Sequence, residues 1–308
     1  MFKIFTENGN SIGNGHVSRC LLLYDAIIKS GQQAKIFLNK DGDTTFLKDK
    51  DYELVEWWDS EVAKNLIDSD DYAIIDSYKS KKETLEVISK SSKNTLFFDD
   101  FDRLIYPEGV VFCPTLIKKD SNFLTGEEFF LIRKSFYSFQ KKHISKNVKK
   151  IFLSIGTDIN NCLDDIVEAI LALDSSVEVH VVTNKIFQND KVKSHYNLDD
   201  FAMAKLINEC DFSIISAGQT LLENLVVKNP FILILTAENQ MRNYNFVQHK
   251  GLINYFLDAR ESDFIERFKN IFKEQVYSKE LEKFYQNVKL KDSSMAAENI
   301  IRILTKEK

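Results

Sequence analysis

Glycine is scarce in this sequence, and the few glycines are unevenly placed. Ten occur in 308 residues, about half the share that is usual in globular proteins. Three of the ten, Gly9, Gly13 and Gly15, lie close together near the start of the chain. Because glycine tolerates positive φ and lets the backbone approach another molecule closely, this cluster predicts a loop that contacts a ligand.

Other features are missing. No apolar run approaches the roughly 20 residues that a membrane span needs, and no signal peptide precedes the first predicted strand. We therefore expect a cytoplasmic protein without stable membrane insertion. The net charge is only −5 with both signs interspersed, which argues against nucleic-acid binding as the default class, although a local basic patch would still be compatible. The four cysteines, none in a C-x-x-C pair, indicate buried, reduced thiols: Cys20, Cys113, Cys162 and Cys210.

The chain instead contains short apolar runs that alternate with amphipathic segments. The first half predicts strands and helices in turn: strands 2–6, 34–38, 53–56, 72–76, 95–98 and 110–113, and helices near 16–30, 59–68 and 81–90. The second half repeats the pattern, with strands 151–155, 177–182, 212–215 and 231–235 and helices 161–173, 200–209, 219–228 and 240–250. Such βα units predict parallel sheets with helices on both faces.

A lysine-rich stretch at 141–150 separates the two halves and indicates a linker. We expect an N-terminal domain at 1–145 and a C-terminal domain at 146–308, with a mostly polar helical tail at 261–306. Two doubly wound domains facing each other across a cleft are the simplest architecture. Ligands bind such sheets at the carboxyl ends of the strands, so the loops that follow the strands are where a site is expected.

The glycine loop in the first domain ends in His16, at the start of a predicted helix. The loop matches neither the dinucleotide fingerprint nor a P-loop. The positive end of a helix dipole disfavours imidazolium, and a neutral imidazole is what a general base requires. A merely solvated or capping histidine is the alternative interpretation. Asp76, Tyr78 and Asp99 follow neighbouring strands and are weaker candidates for contact with a substrate.

In the second domain, polar loops follow three strands. Gly156 and Thr157 lie between a strand and a helix, and Ser216, Gly218 and Thr220 repeat that arrangement. Free N–H groups at such helix N-termini bind phosphate, although each loop could equally be an ordinary helix cap. Glu223 is predicted to contact ribose hydroxyls, although the helix dipole alone already favours an acid at this point of a helix. Asn239 and Gln240 are predicted to contact sugar or uracil groups, with simple helix initiation as the alternative.

A metal site is a further possibility at the D-x-D triplet formed by Asp100 and Asp102. Several other D-x-D triplets occur in acidic turns of this chain, so the pattern has little weight, and no metal or other cofactor is expected. Trp57 and Trp58 are interpreted as packing residues rather than as a sugar platform.

Together these motifs resemble the UDP-2,4-diacetamido-2,4,6-trideoxy-β-L-altropyranose hydrolases of pseudaminic acid biosynthesis, the PseG and SpsG-like family, which is similar to the glycosyltransferase MurG. The run from Ile12 to Cys20 is similar to the family's I-G-x-G-H-x-x-R-C signature. The segment from Gly126 to Phe136 resembles its G-x-x-Y-x-x-L-R-x-x-F segment. Shorter matches are Ile75-Asp-Ser-Tyr78, Phe98-Asp-Asp100, Ser216-Ala-Gly218 through Glu223, and Glu238-Asn-Gln240.

The resemblance implies a GT-B-like α/β fold of two Rossmann-like domains, and a metal-independent hydrolysis of a UDP-sugar. His16 would activate water for inverting attack at the anomeric carbon. Substrate contacts would come from Gly13, Gly15, Arg19, Asp76, Tyr78, Asp99, Asn239 and Gln240. Nucleotide contacts would come from Gly156, Thr157, Ser216, Gly218, Thr220 and Glu223.

The resemblance also implies a monomer whose product enters pseudaminic acid, surface-polysaccharide or flagellin-glycan synthesis. The sequence leaves two other functions open. His16 could deprotonate an acceptor hydroxyl instead of water, which would make the protein a glycosyltransferase. A nucleotide-sugar-binding protein without catalytic activity is the third possibility.

Overall fold

The computed structural model describes residues 1–9, 15–117, 122–140, 145, 147–156, 162–276 and 288–306. It divides into two compact units. Unit 1 comprises Met1–Ile132 together with Asp292–Lys308, and unit 2 comprises Arg133–Lys291.

Unit 1 is a doubly wound α/β structure. Its elements follow one another as β1 (Phe2–Thr6), α1 (Gly15–Lys29), β2 (Ala34–Leu38), a 3₁₀ helix (Thr45–Leu47), β3 (Tyr52–Leu54), α2 (Ser60–Lys64), β4 (Tyr72–Asp76), α3 (Lys82–Ser91), β5 (Asn94–Phe98), β6 (Val110–Phe112), β7 (Phe123–Leu124) and a 3₁₀ helix (Glu127–Phe129). Within the described residues the sheet order is β3-β2-β1-β4-β5-β6-β7, and every pair is parallel. This is the Rossmann strand order, extended by one strand.

Alternation along the strands distributes apolar side chains to both faces of this sheet. In β1, Ile4 packs with α1 on one face, and Phe5 packs with Trp57 on the other. Because both faces are covered, the strands are apolar at almost every position, as expected for a parallel sheet. The predicted helices on both faces of this sheet are therefore present.

Unit 2 repeats the design. Its elements are β8 (Lys150–Ser154), α4 (Cys162–Leu173), β9 (Glu178–Val182), β10 (Val192–His195), α5 (Asp200–Glu209), β11 (Phe212–Ser216), α6 (Gln219–Val227), β12 (Phe231–Ile234), a 3₁₀ helix (Glu238–Gln240), α7 (Met241–His249) and α8 (Phe264–Val276). The order of its parallel strands, among the residues described, is β10-β9-β8-β11-β12. The prediction of two Rossmann-like halves is confirmed. Two strands were not predicted from the sequence, because β7 has only two residues and β10 (Val-Lys-Ser-His) has only one apolar residue.

The tail at 261–306, expected to be mostly polar, contains a helix with a buried apolar face. Three phenylalanines of α8, Phe264, Phe268 and Phe272, are buried in the core of unit 2. They recur every four residues, which places them on one face of the helix. Within the described residues, no helix is both long and apolar enough to cross a membrane.

The chain passes from unit 1 to unit 2 earlier than the boundary expected between residues 145 and 146. The chain enters unit 2 at Arg133, where the 3₁₀ helix Lys134–Phe139 packs on α5 and α6. The last helix, α9 (Ala296–Leu304), returns to unit 1. There Ile300, Ile301 and Leu304 pack in the same buried cluster as the apolar face of α1.

We expect Ile300→Ala to destabilise unit 1 by about 2–5 kcal/mol, the usual cost of emptying a large apolar position in a core. Ile300 is only 1% exposed. Hydrogen exchange followed by mass spectrometry should show the loss of protection in peptides from β1 and α1. The matched control is Arg302→Ala on the exposed face of α9, expected to change stability by less than about 0.5 kcal/mol. Loss of protection confined to unit 2 would contradict the assignment of α9.

Candidate active site

The candidate site of unit 1 lies where the strand order reverses, between β1 and β4. Thr6 is in register with Asp76, so the loops that leave these two strands begin side by side. In open α/β sheets such a switch point is where ligands bind. The loop after β1 leads to His16 in the first turn of α1, and β4 itself ends at Asp76.

His16 and Asp76 form a buried pair. The imidazole Nδ1 lies 2.5 Å from Oδ1 of Asp76, and the two side chains are only 4% and 1% exposed. An ionised carboxylate can only accept a hydrogen bond, so the proton of a neutral imidazole is on Nδ1. The lone pair is then on Nε2, which has no hydrogen-bond partner among the described residues.

Arg19, one turn further along α1, contacts two carboxylates. Its Nε and one terminal nitrogen donate to the two oxygens of Asp76 at 2.5 and 2.7 Å. Its terminal nitrogens donate to both oxygens of Asp100 at 2.9 and 2.8 Å. The guanidinium also lies 4.7 Å from the centre of the Phe98 ring. This planar, doubly bidentate arrangement is one that lysine could not reproduce.

The charges around Asp76 determine its protonation. Burial by itself raises the pKa of this carboxyl, but the charges and hydrogen bonds of Arg19 and His16 hold it well below its ordinary value. The pKa of Asp100 is likewise lowered, because Arg19 outweighs the effect of burial. Asp76 therefore remains ionised and can stabilise the imidazolium that forms when Nε2 of His16 accepts a proton.

Tyr78 and Cys20 complete the surroundings of the pair. The Tyr78 ring meets the His16 ring edge to face, with centroids 4.3 Å apart, and its hydroxyl donates to Asp100. The Cys20 thiol lies 3.8 Å from Oδ2 of Asp76. Burial, together with the negative charge of Asp76, raises the pKa of Cys20, so the thiol stays protonated and acts as a weak donor.

The structure thus brings His16, Arg19, Asp76 and Tyr78 together, all four being residues that the sequence singled out. Asp99 is placed differently from Asp100: one of its oxygens accepts the backbone N–H groups of Phe101 and Arg103 at 3.2 Å each. The aspartate beside Arg19 is therefore Asp100, which the sequence analysis named as a possible metal ligand and as part of the Phe98-Asp-Asp100 match, but not as a substrate contact.

Of the three glycines near the first loop, Gly9 and Gly15 belong to the described residues. Gly15 is exposed at the first position of α1, with open space around its Cα. Gly13 lies outside the described residues, so its predicted substrate contact stays a prediction.

Unit 2 has a second cluster of polar groups at its own switch point, between β8 and β11. Gly156 follows β8 with φ +70, a conformation that strongly favours glycine. A Cβ at Gly156 would lie 3.7 Å from Ser216 Oγ, and one at Gly218 would lie 3.9 Å from the same atom and 4.0 Å from Gln240 Nε2. Three loops therefore converge at the N-terminus of α6, where backbone N–H groups favour an anion.

Glu223, in the second turn of α6, is 1% exposed and forms an ion pair with Arg133. Arg133 donates from Nε to Glu223 Oε1 at 2.8 Å and from a terminal nitrogen to Asp200 at 2.6 Å. Burial raises the pKa of Glu223, against the opposing charge of Arg133. Sequence reasoning did not predict this pairing, although Arg133 belonged to one of the segments that carried the family resemblance.

The remaining predicted residues of unit 2 lie around this cluster. Thr220 is half-buried in the first turn of α6, and Asn239 is half-buried in the 3₁₀ helix that ends with Gln240. The Gln240 amide oxygen accepts the backbone N–H of Thr236 at 3.0 Å. Thr157 lies outside the described residues. In the part of the chain that the structure describes, no three His, Cys, Asp or Glu side chains converge as metal ligands would.

Two curated proteins are distant relatives of this chain. An uncharacterized protein of Methanocaldococcus jannaschii is 23% identical over 303 residues, covering 84% of this chain and 62% of the relative. The pseudaminic acid cytidylyltransferase and UDP-2,4-diacetamido-2,4,6-trideoxy-β-L-altropyranose hydrolase of Helicobacter pylori is 22% identical over 313 residues, covering 97% and 53%. The chain therefore spans only part of the length of either relative. No protein-family profile matches it.

Solved structures establish the fold. MurG of Acinetobacter baumannii superposes with a TM-score of 0.64 over 98% of both chains at 10% identity. The spinosyn forosaminyltransferase SpnP gives 0.66 over 99% of both chains at 8% identity. The Anabaena protein HepE, solved in complex with UDP and glucose, gives 0.55 over 99% of both chains at 11% identity. The α/β fold is thus of the GT-B type found in glycosyltransferases, as the family resemblance implied.

We expect the stability of unit 1 to decline in acid through Asp76 and Asp100. Their pKa values are lowered in the folded protein, so the unfolded chain takes up protons first as the pH falls through about 4. Their contribution is therefore complete above about pH 5 and is lost as the pH approaches their folded pKa values. Asp76→Asn should cost about 3–5 kcal/mol near neutral pH and much less at low pH.

Urea unfolding at a series of pH values, followed by hydrogen exchange in β1 and β4, measures this difference. Asp70→Asn is the control, because Asp70 is exposed in a turn of the same unit. An effect of Asp76→Asn that is the same at every pH would show that the charge of the carboxylate does not contribute.

Proposed function

We propose that this chain hydrolyses a UDP-activated, diacetamido-trideoxy-hexose without a metal ion, releasing UDP and the free sugar. The observation that carries the proposal is the buried His16–Asp76 pair at the switch point of unit 1. The Nε2 atom of His16, which has no hydrogen-bond partner among the described residues, lies at the place where an open α/β sheet binds its ligand. The family resemblance and the Helicobacter pylori relative support this substrate class.

The reaction needs one proton acceptor and one leaving group. His16 Nε2 would accept a proton from water as the water oxygen attacks the anomeric carbon. The bond between that carbon and the diphosphate oxygen breaks, its electron pair leaves with UDP, and the configuration at the anomeric carbon inverts. Asp76 would hold the ring and stabilise the imidazolium, while Arg19 and Asp100 would hold Asp76. A positioned base of this type contributes about 10²- to 10⁴-fold.

We infer that unit 2 binds the UDP moiety. Gly156, Ser216 and Gly218 converge at the N-terminus of α6, where the helix dipole and backbone N–H groups would stabilise the developing charge of the leaving diphosphate. Glu223, which Arg133 holds at Oε1, would contact the ribose hydroxyls. Gln240 and Asn239 would contact the uracil or the sugar.

A glycosyltransferase is the second candidate, and the fold itself favours it, since the structural neighbours include glycosyltransferases. His16 can deprotonate a sugar or lipid hydroxyl as readily as water, so the pair does not distinguish the two reactions. The acceptor does.

The two candidates differ in what happens when no acceptor is present. Incubated with the UDP-sugar in water and EDTA, a hydrolase releases UDP and free sugar in equal amounts, and proton NMR shows which anomer forms first. Intact UDP-sugar under these conditions would refute hydrolysis and favour transfer or simple binding. Activity that disappears in EDTA and returns with Mn²⁺ or Mg²⁺ would refute the metal-independent mechanism.

We expect His16→Gln to lower kcat by roughly two to four orders of magnitude, because the amide cannot accept the proton. KM and the affinity for UDP should change little. Steady-state kinetics and calorimetric titration with UDP measure the two effects. His249→Gln is the matched control, since His249 is exposed at the end of α7. If His16→Gln keeps most of the wild-type kcat, the base is another residue.

Glu223→Gln should show the reverse effect: weaker UDP binding with kcat nearly unchanged at saturating substrate. Loss of affinity for UDP but not for 2′-deoxy-UDP would connect Glu223 to the ribose 2′-hydroxyl. Equal losses for both nucleotides would contradict that role.

A further inference from the structure

The mechanism above does not use Glu7, although it lies beside the catalytic pair. Glu7 follows β1 directly and is fully buried, next to the residues that follow Asp76 at the end of β4. A buried carboxylate is unfavourable unless hydrogen bonds or a cation compensate it. Within the described part of the chain, no cation forms an ion pair with Glu7.

Three neutral donors compensate Glu7 instead. Its Oε1 accepts the backbone N–H of Tyr78 at 2.7 Å. Its Oε2 accepts the indole N–H of Trp58 at 3.0 Å and the hydroxyl of Ser77. Two of the three donors belong to the residues that immediately follow Asp76.

The Ser77 hydroxyl, which donates to Glu7, also accepts hydrogen bonds from the backbone of the turn formed by residues 76–80. Ser77 Oγ accepts the backbone N–H groups of Lys79 and Ser80 at 3.1 and 2.9 Å. Arg103 adds hydrogen bonds to the carbonyls of Tyr78 and Ser80 at 3.2 and 2.5 Å. The backbone of Tyr78 is thus held at its N–H by Glu7 and at its carbonyl by Arg103.

This turn determines where two groups of the candidate site lie. It begins at Asp76, which holds Nδ1 of His16, and it carries Tyr78, whose ring is 4.3 Å from the His16 ring. A small displacement of the turn would move the carboxylate and the ring together. Misplacing a catalytic group by about 1 Å can cost about 10²-fold in rate.

We propose that Glu7 is a positioning residue for the His16 base, acting through the 76–80 turn. The inference rests on the function proposed for His16. Glutamine would be a poor replacement even though it has the same length, because its NH₂ group would face donors that already point at the carboxylate. Aspartate keeps the charge but is shorter by one methylene group and would not reach all three donors.

We expect Glu7→Gln to lower kcat by about 10- to 100-fold, with KM and the affinity for UDP changed by less than about two-fold. Glu7→Asp should give a smaller loss of the same kind. The matched control is Asn8→Ala: Asn8 is the next residue and equally buried, but its side chain bonds to Asp43. This control should lose stability without losing kcat.

A double-mutant cycle separates positioning from a general structural effect. If Glu7 acts through His16, adding Glu7→Gln to His16→Gln should change the residual rate by less than about two-fold. Equal losses in the wild-type and His16→Gln backgrounds would overturn the inference. So would an unchanged kcat in folded Glu7→Gln.

Failure of the inference and failure of the proposed function give different results. An unaltered kcat in His16→Gln refutes the function, and with it any action of Glu7 through His16. A large loss in His16→Gln with none in Glu7→Gln refutes only the inference. If Glu7→Gln does not fold, Ser77→Ala removes one of the same hydrogen bonds, and we expect a kcat loss there too; an unchanged kcat would overturn the inference.

Discussion

The candidate site of unit 1 depends on one buried negative charge, that of Asp76. Three neighbouring side chains donate to it: the imidazole of His16, the guanidinium of Arg19 and the thiol of Cys20. Removing a partner from such a cluster leaves a buried charge uncompensated, which costs far more than a surface ion pair contributes. The arrangement therefore ties the start of α1 to the end of β4, and it does so with the same atoms that orient the imidazole.

Both units have a polar cluster at the point where the strand order reverses, and the two clusters differ in composition. The reversal lies between β1 and β4 in one unit and between β8 and β11 in the other. In unit 1 the cluster consists of charged side chains around an imidazole. In unit 2 glycine backbone and neutral side chains surround a helix N-terminus, an environment suited to phosphate. In the function proposed above, the cluster of unit 1 would supply the base and that of unit 2 would bind the diphosphate.

The parallel sheets and several residues of the site in unit 1 could be predicted from the sequence, but the contacts between those residues could not. Short continuous apolar runs that alternate with amphipathic segments predicted the parallel sheets, because strands buried on both faces have to be apolar throughout. His16 and Asp76 could be identified because one begins a helix and the other ends a strand, whereas Arg19 was identified only through the family resemblance. The sequence could not indicate whether Asp99 or Asp100 contacts Arg19, because adjacent residues after a strand point in different directions. Which one meets Arg19 depends on the path of a non-repetitive turn.

What the sequence by itself determined is the fold class and the loops that carry polar groups, since these follow from local hydrophobic patterning. Only the tertiary structure decided which of these groups touch. The pairing of Glu223 with Arg133 joins residues 90 positions apart, and the return of α9 to α1 connects the two ends of the chain. The contacts of Glu7 with Ser77 and Tyr78 are also of this kind. Such pairings depend on the packing of whole elements, and no local pattern in the chain encodes them.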